Sequence, residues 1–200
     1  MNTVLLHICC GVCAFYPIER LKEEGFCVVG FFFNPNIHPE SEYLKRKQVS
    51  EKVAKLTSIE ITKGEYEPKI WLDACRDYED EPEGHKRCFL CYELRLKKTL
   101  EVCKEKKFNC FATTLTVSPH KNSKAIIETG ESIGGDYFLP VDFKKRDGFK
   151  KTIELSKKFN LYRQSYCGCV YSREHLPAGK AGSTPACRQG MENRKQKNRK

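Results

Sequence analysis

The feature that most constrains the fold lies near the beginning of the chain, where an apolar segment ends in a group of cysteines. Residues 4–8 predict a short buried strand, and residues 14–25 have the spacing of a helix. Between them lie Cys9, Cys10 and Cys13. In α/β folds, ligands bind in the loops that follow the carboxyl ends of the strands. This loop offers soft thiolates where a phosphate-binding loop would carry glycines, a lysine and a hydroxyl. The segment therefore predicts a scaffold for a cysteine-held metal centre.

Strand and helix patterns alternate about five times along the chain. Further strands are predicted at 26–33, 58–62, 109–117 and 136–141, and further helices at 39–56, 89–106, 121–134 and 150–159. The pattern weakens from 66 to 85, and the acidic segment 77–83 predicts an exposed loop over the site. This alternation is typical of a mostly parallel sheet with helices on both faces. We therefore predict an α/β fold, a single three-layer α/β/α domain over residues 1–172.

Composition limits where the protein acts and what it binds. The longest apolar runs are far shorter than the roughly 20 residues of a membrane span, and no secretory signal precedes the first strand. We expect a cytoplasmic protein with no membrane partner. Of the net charge of +10, +6 lies in residues 173–200, a Pro/Gly-rich and basic segment predicted to be a disordered tail. The mildly basic remainder suits a nucleic-acid substrate without requiring one.

The chain has twelve cysteines, and seven of them form three closely spaced groups. These groups are Cys9, Cys10 and Cys13, then Cys88 and Cys91, and finally Cys167 and Cys169. In a chain without a secretory signal, such a count indicates metal binding or catalysis rather than disulfides. Zinc or an iron–sulfur cluster would each use four thiolates, and up to three would remain for a second metal or for redox work. Both metals stay open at this point, although adjacent cysteines and a Cys-Gly-Cys sequence favour iron–sulfur.

Two residues in or beside the first cysteine group are further candidates for catalysis. His7 lies two residues before Cys9 and points to the same side of a strand, so it is a candidate ligand, proton donor or partner of a ligand. A buried histidine with ordinary hydrogen bonds is the alternative. Cys13 lies in the first turn of the predicted helix, where the pKa of a thiol is lowered. It is a candidate ligand, with simple packing as the alternative.

Four further residues are candidates for substrate binding. Lys121 follows a strand rich in threonine, near the edge where ligands bind, and is suited to holding a phosphate. Tyr162, Arg163 and Tyr166 lead into the last cysteine pair. An arginine between two tyrosines can stack on bases and bind phosphate, as in the recognition of RNA loops.

Taken in order, these motifs resemble the cobalamin-independent epoxyqueuosine reductases, the QueH family. The residues that carry the resemblance are 5–13, 81–84, 87–91, 95–96, 113–119, 142–143 and 161–172. The resemblance implies an oxidoreductase that removes the epoxide oxygen of epoxyqueuosine at the wobble position of tRNA. It also implies a fold similar to that of adenine-nucleotide α-hydrolases and tRNA-thiolating enzymes, the HUP folds.

The resemblance also implies the cofactors and their ligands. The expected cofactors are a 4Fe–4S cluster and a separately bound mononuclear iron, served by an external electron donor. The expected metal ligands are Cys9, Cys10, Cys88, Cys91, Cys167 and Cys169. Cys9, Cys13 and His7 are the expected catalytic residues, and Cys13 is a candidate ligand of the lone iron. The anticodon loop of tRNA is the expected partner.

Two other functions remain as alternatives. An ATP-dependent, cluster-assisted tRNA sulfur transferase would need a nucleotide-binding loop after the first strand, for which residues 9–13 are poorly suited. A non-catalytic, zinc-stabilised RNA-binding module would need only four of the cysteines.

Overall fold

The computed structural model describes residues 2–174 and contains a parallel sheet between two layers of helices. Its strands are β1 (Thr3–His7), β2 (Cys27–Phe32), β3 (Glu60–Lys63) and β4 (Cys110–Thr113). The strand order is β3-β2-β1-β4, so β1 is central and pairs with both β2 and β4. The α/β fold with a parallel sheet is therefore confirmed.

Seven α-helices lie between residues 2 and 174, and the longer ones pack on the two faces of the sheet. They are α1 (Gly11–Glu23), α2 (Glu40–Leu56), α3 (Pro68–Cys75), α4 (Lys86–Glu105), α5 (Ser123–Gly134), α6 (Gly148–Lys158) and α7 (Val170–Glu174). Helix α1 packs against α2 and α6, and α4 packs against α5. Alternate residues of β1 face opposite sides: Val4 and Leu6 belong to the core beneath α1, and Leu5 belongs to the core beneath α4. This alternation explains why β1 is buried from Val4 to His7.

Three predicted segments differ from the structure. The strand predicted at 109–117 ends at Thr113, because the chain turns into a 3₁₀ helix at Thr114–Val117 and the Thr113 hydroxyl accepts a hydrogen bond from the backbone N–H of Leu115. The strand predicted at 136–141 is reduced to a single bridge between Phe138 and Phe111. The weakly patterned segment 66–85 contains α3, an unpredicted helix that buries Trp71 and Cys75.

The predicted domain boundary falls inside the last helix that the structure describes. Helix α7 continues to Glu174, two residues past the predicted end of the catalytic domain. The rest of the predicted tail, residues 175–200, lies outside the described residues. Between residues 2 and 174, no helix combines the length and the apolar character that a membrane crossing requires.

Helices α1 and α2 approach each other most closely at Gly11. A Cβ atom added there would lie 2.5 Å from the carbonyl carbon and oxygen of Val49, which are backbone atoms that cannot rotate away. We expect Gly11→Ala to lower the free energy of unfolding by about 3 kcal/mol or more, because overpacking here requires α2 to move. Urea unfolding of the metal-free protein measures this.

Gly25→Ala is the control for that change. A Cβ at Gly25 meets no atom within 4 Å, although the φ of +87° is unfavourable for alanine. Its expected cost is about 1 kcal/mol, from backbone strain alone. Equal losses in the two variants would contradict the assigned role of Gly11.

Candidate metal centre

The first cysteine group lies at the carboxyl edge of the sheet, between β1 and α1. The sulfur atoms of Cys9, Cys10 and Cys13 all lie within 4.8 Å of one another. The backbone N–H of Cys13 donates to the sulfur of Cys10, which caps α1 and fixes the turn. The Thr114 hydroxyl accepts from the backbone N–H of Cys9 and donates to its sulfur, at 3.1 Å and 3.3 Å. The structure thus brings these three thiols together as predicted.

Hydrogen bonding within this group concentrates its negative charge on one sulfur. Hydrogen bonds from the thiols of Cys10 and Cys13 hold the pKa of Cys9 well below its usual range, and Lys121 lowers it further. The pKa of Cys13 is raised well above that range, because its thiol donates to Cys10 and Cys9 and is buried. The Cys13 hydrogen bond lowers the pKa of Cys10, but the bond to Cys9 and burial outweigh it and raise that pKa to about 12. A soft cation here would displace the remaining protons.

The other two cysteine groups meet around a second, smaller cavity. Cys88 and Cys91, in the first turns of α4, line this cavity together with Cys167 and Cys169. The backbone N–H of Gly84 donates to the sulfur of Cys88 at 3.2 Å. The structure therefore brings these two pairs, which are far apart in sequence, to one cavity.

The turn at Gly168 brings the last two thiols together. Its φ of +115° is one that glycine adopts without strain. A hydrogen bond from the Cys169 thiol lowers the pKa of Cys167 well below its usual range against the effect of burial, and Lys121 and Ser172 contribute. The same hydrogen bond raises the pKa of Cys169. Each of the first and last cysteine groups therefore contains one cysteine whose pKa is lowered, Cys9 or Cys167, beside cysteines whose pKa is raised.

The donor set fits a metal cofactor. All eleven cysteines between residues 2 and 174 are free thiols, and seven of them line or adjoin the two cavities. Clustered thiolates are the ligands that zinc, copper(I) and iron–sulfur clusters prefer. Lys121 lies close to both low-pKa sulfurs. Burial lowers the pKa of its amine, but the thiolates of Cys167 and Cys9 outweigh burial and raise it.

A larger cavity of about 590 Å³ adjoins the small one. Four residues line both cavities: Glu83, Arg95, Lys121 and Cys167. The acidic segment predicted over the site thus contributes Glu83 to its wall. The larger cavity is also lined by Cys9, Cys13, Arg46 and Arg163, so its wall carries both thiols and basic side chains.

The predicted substrate-binding residues divide into two sets. Lys121, Arg163 and Tyr166 line the large cavity. Tyr162 is not among its lining residues. The Tyr162 side chain is 41% exposed, and its hydroxyl donates to the Glu42 carboxylate at 2.7 Å. Tyr162 therefore lies on the surface next to the cavity.

His7 is fully buried and both of its ring nitrogens have partners. Its Nε2 lies 3.1 Å from the Phe33 carbonyl oxygen, and its Nδ1 lies 2.9 Å from the Thr113 hydroxyl. A carbonyl oxygen only accepts, so Nε2 carries the proton and Nδ1 accepts from Thr113. Burial, followed by the charge of Arg95, lowers the pKa of His7 to about 4. The ring is neutral and both of its nitrogens are hydrogen-bonded. Of the roles that the sequence left open, His7 is therefore better suited to supporting a metal ligand than to donating a proton.

Two buried arginines at the site had no predicted role. The guanidinium of Arg46 donates to the Glu42 carboxylate at 2.7 Å and to the carbonyl oxygens of Cys167 and Tyr166 at 2.9 Å and 3.1 Å. Arg95 donates to the carbonyl oxygen of Cys91 and lines both cavities. The sequence could have indicated that Arg95 lies at the site, because it follows Cys91 by four residues and so shares its helix face.

The chain is similar in sequence to one described family and to proteins of that name. The sequence family described as epoxyqueuosine reductase QueH matches residues 4–175. A relative of that name from Streptococcus pyogenes is 38% identical over 179 residues, which cover 85% of this chain and 70% of the relative. A relative of that name from Thermotoga maritima is 39% identical over 178 residues, covering 86% and 91%.

A solved structure shows the same fold. The U34-tRNA thiolase NcsA from Methanococcus maripaludis, determined with its 4Fe–4S cluster, is similar with a TM-score of 0.54. The match covers 86% of this chain and 62% of that chain, at 16% identity, so it demonstrates a common fold and no more. It confirms the predicted relation to the fold of tRNA-thiolating enzymes. From the family match and the two relatives, the chain belongs to the epoxyqueuosine reductase QueH family of oxidoreductases.

Proposed function

We propose that this chain removes the epoxide oxygen of epoxyqueuosine in the anticodon loop of tRNA, in the large cavity beside the cysteines. The reaction takes up two electrons and two protons, and it yields the alkene and water. The observation that carries the proposal is the placement of a basic cavity directly against seven cysteines in a member of this family. The electrons come from an external donor.

We further propose that the thiolates hold a 4Fe–4S cluster and a separate iron. Cys88, Cys91, Cys167 and Cys169 around the small cavity, with Cys9 and Cys10 of the neighbouring group, would be the ligands. Cys13 is a further candidate ligand of the separate iron. When bound, these groups would supply single electrons and a Lewis acid for the leaving oxygen.

The chain's own charged residues would bind and orient the substrate. Lys121 and Arg163 line the cavity and would hold RNA phosphates, while Tyr162 is exposed enough to stack on a base. Tyr166 lies in the cavity wall, where its ring contacts Arg46. Because His7 is neutral and its nitrogens are engaged, we propose that water delivers the protons and that His7 keeps the end of β1 in place.

The loop after β1 argues against an ATP-dependent sulfur transferase. Phosphate-binding loops use glycine so that the backbone can approach the phosphates. At Gly11 the space that a side chain would need is filled by the backbone of α2. This glycine therefore serves helix packing.

The proposed function is tested by purification without oxygen, followed by an absorption spectrum and assays of iron, zinc and acid-labile sulfide on one sample. We expect brown protein with more iron than sulfide, because the separate iron adds to the cluster. The same sample, given a strong reductant, is expected to convert epoxyqueuosine to queuosine in tRNA. Colourless protein with stoichiometric zinc and no sulfide would contradict the reductase and favour an RNA-binding module.

A further inference from the structure

Three buried side chains that line the small cavity carry a polar atom without a hydrogen-bond partner. These atoms are Trp71 Nε1, Arg87 Nε and Asn36 Oδ1. Trp71 is 1% exposed and Arg87 is 2% exposed, so bulk water does not satisfy them. A buried donor left unpaired costs about 1–3 kcal/mol. The position of the two N–H donors, Trp71 and Arg87, around one cavity indicates that its contents accept their hydrogen bonds.

The four cysteines in the same wall indicate what those contents are. Trp71 and Arg87 each offer an N–H donor, and sulfur bound to a metal is a negatively charged acceptor. We propose that Trp71 and Arg87 donate N–H···S hydrogen bonds to the sulfur-bound metal group in this cavity and thereby raise its reduction potential. The inference rests on the proposed cluster and adds two positioning residues to it.

Both donors are held in place by the protein itself. Arg87 donates through NH1 to the carbonyl oxygens of Tyr78 and Glu79, at 3.0 Å and 2.8 Å, and its guanidinium lies 4.6 Å from the ring centre of Tyr171. Trp71 packs against the same tyrosine ring, with 5.9 Å between ring centres. The unpredicted helix α3 thus presents Trp71 to the cavity wall. Donors fixed in this way lose little entropy when they bind sulfur.

The expected rise in reduction potential follows from charge. Reduction adds an electron to the metal group, so a hydrogen bond to its sulfur stabilises the reduced state more than the oxidised one. Arg87, Arg95 and Lys121 line the same cavity and act in the same direction as positive charges, with Glu83 opposing them. Trp71 is the informative position, because its replacement removes an N–H without changing any charge.

The experiment compares Trp71→Phe with the wild-type holoprotein in a redox titration followed by EPR. Phenylalanine keeps an aromatic ring but has no N–H. We expect unchanged iron and sulfide content and a roughly tenfold smaller equilibrium constant for one-electron reduction, which is about 59 mV. Tyr171→Phe is the matched control, because it changes the same apolar cluster without removing an N–H from the cavity wall. It is expected to leave the potential unchanged.

A second measurement needs no variant. Trp71 is the one tryptophan in the chain, so protein labelled with ¹⁵N-tryptophan gives one indole N–H signal. We expect metal loading to shift this signal and to slow its exchange with solvent hydrogen.

The outcomes separate the inference from the proposed function. A Trp71→Phe protein with full loading and the wild-type potential would overturn the inference alone, as would an indole signal that loading leaves unchanged. A wild-type protein that binds neither iron nor sulfide would overturn the inference and the proposed function together.

Discussion

Changing Cys167 and Cys169 together to alanine is expected to lower turnover of epoxyqueuosine tRNA more than about 100-fold, while tRNA affinity changes little. Loss of residues that merely support a metal ligand costs about 10–100-fold, so loss of two ligands should exceed that range. Cys167 lines both cavities, and the hydrogen bond from the Cys169 thiol holds the pKa of Cys167 well below its usual range. The proposed phosphate-binding residues, Lys121 and Arg163, remain in the cavity wall. Single-turnover assays and tRNA filter binding measure the two quantities separately.

The double variant Cys103→Ala with Cys110→Ala is the control for this prediction. It also removes two thiols, but neither lines the two cavities. Cys103 is a buried residue of α4, and Cys110 is on β4. We expect nearly wild-type iron content and turnover. A Cys167/Cys169 variant that binds tRNA poorly but keeps its turnover per bound tRNA would refute the metal assignment.

Replacing Arg46 with glutamine is expected to lower the free energy of unfolding by about 3–5 kcal/mol, because it leaves the buried carboxylate of Glu42 without its cation. The side chains of this pair are only 2% and 9% exposed. The substitution also releases the carbonyl oxygens of Cys167 and Tyr166 that the guanidinium holds. We therefore expect iron content to fall as well. Urea unfolding and metal analysis measure the two effects.

The exposed pair of Lys63 and Glu51 provides the comparison for Arg46. Its side chains are 45% and 35% exposed, and the atoms of the pair lie 3.0 Å apart. Lys63→Gln removes a cation from an ion pair just as Arg46→Gln does, but water solvates the remaining carboxylate. The expected loss is below about 1 kcal/mol, with full iron content. Similar losses in the two variants would show that Arg46 contributes no more than a surface charge.

The sequence pattern was sufficient for the elements whose local preferences and burial agree. The apolar run of β1 and the thiols of the loop that follows it predicted both the central strand and the site. The segment after Asn109 was harder, because β-branched residues favour a strand while Thr113 can also cap a turn. In the structure, Cys110–Thr113 is a strand and Thr114–Val117 is a 3₁₀ helix. Local sequence does not determine that the strand ends at Thr113.

Residues that act through long-range contacts were harder to predict from the sequence. Arg46 joins α2 to carbonyl groups 120 and 121 residues further along the chain. Helix α3 is eight residues long, too short for its periodicity to stand out, and only its packing shows that Trp71 lines a cavity. His7 lies at the end of β1, two residues before Cys9. Its fixed tautomer depends on Phe33 and Thr113, which come from two other segments.

The three cysteine groups are far apart in sequence, and this has a consequence for folding. Roughly 75 residues separate Cys13 from Cys88, and about as many separate Cys91 from Cys167, so a metal centre bound by all three groups would close two long loops. By the chain-entropy relation for crosslinks, closing one loop of this length removes denatured-state entropy equivalent to about 4 kcal/mol. The supply of metal would then govern how much folded protein a cell maintains, because chains awaiting metal would unfold, and be degraded, more often than loaded ones.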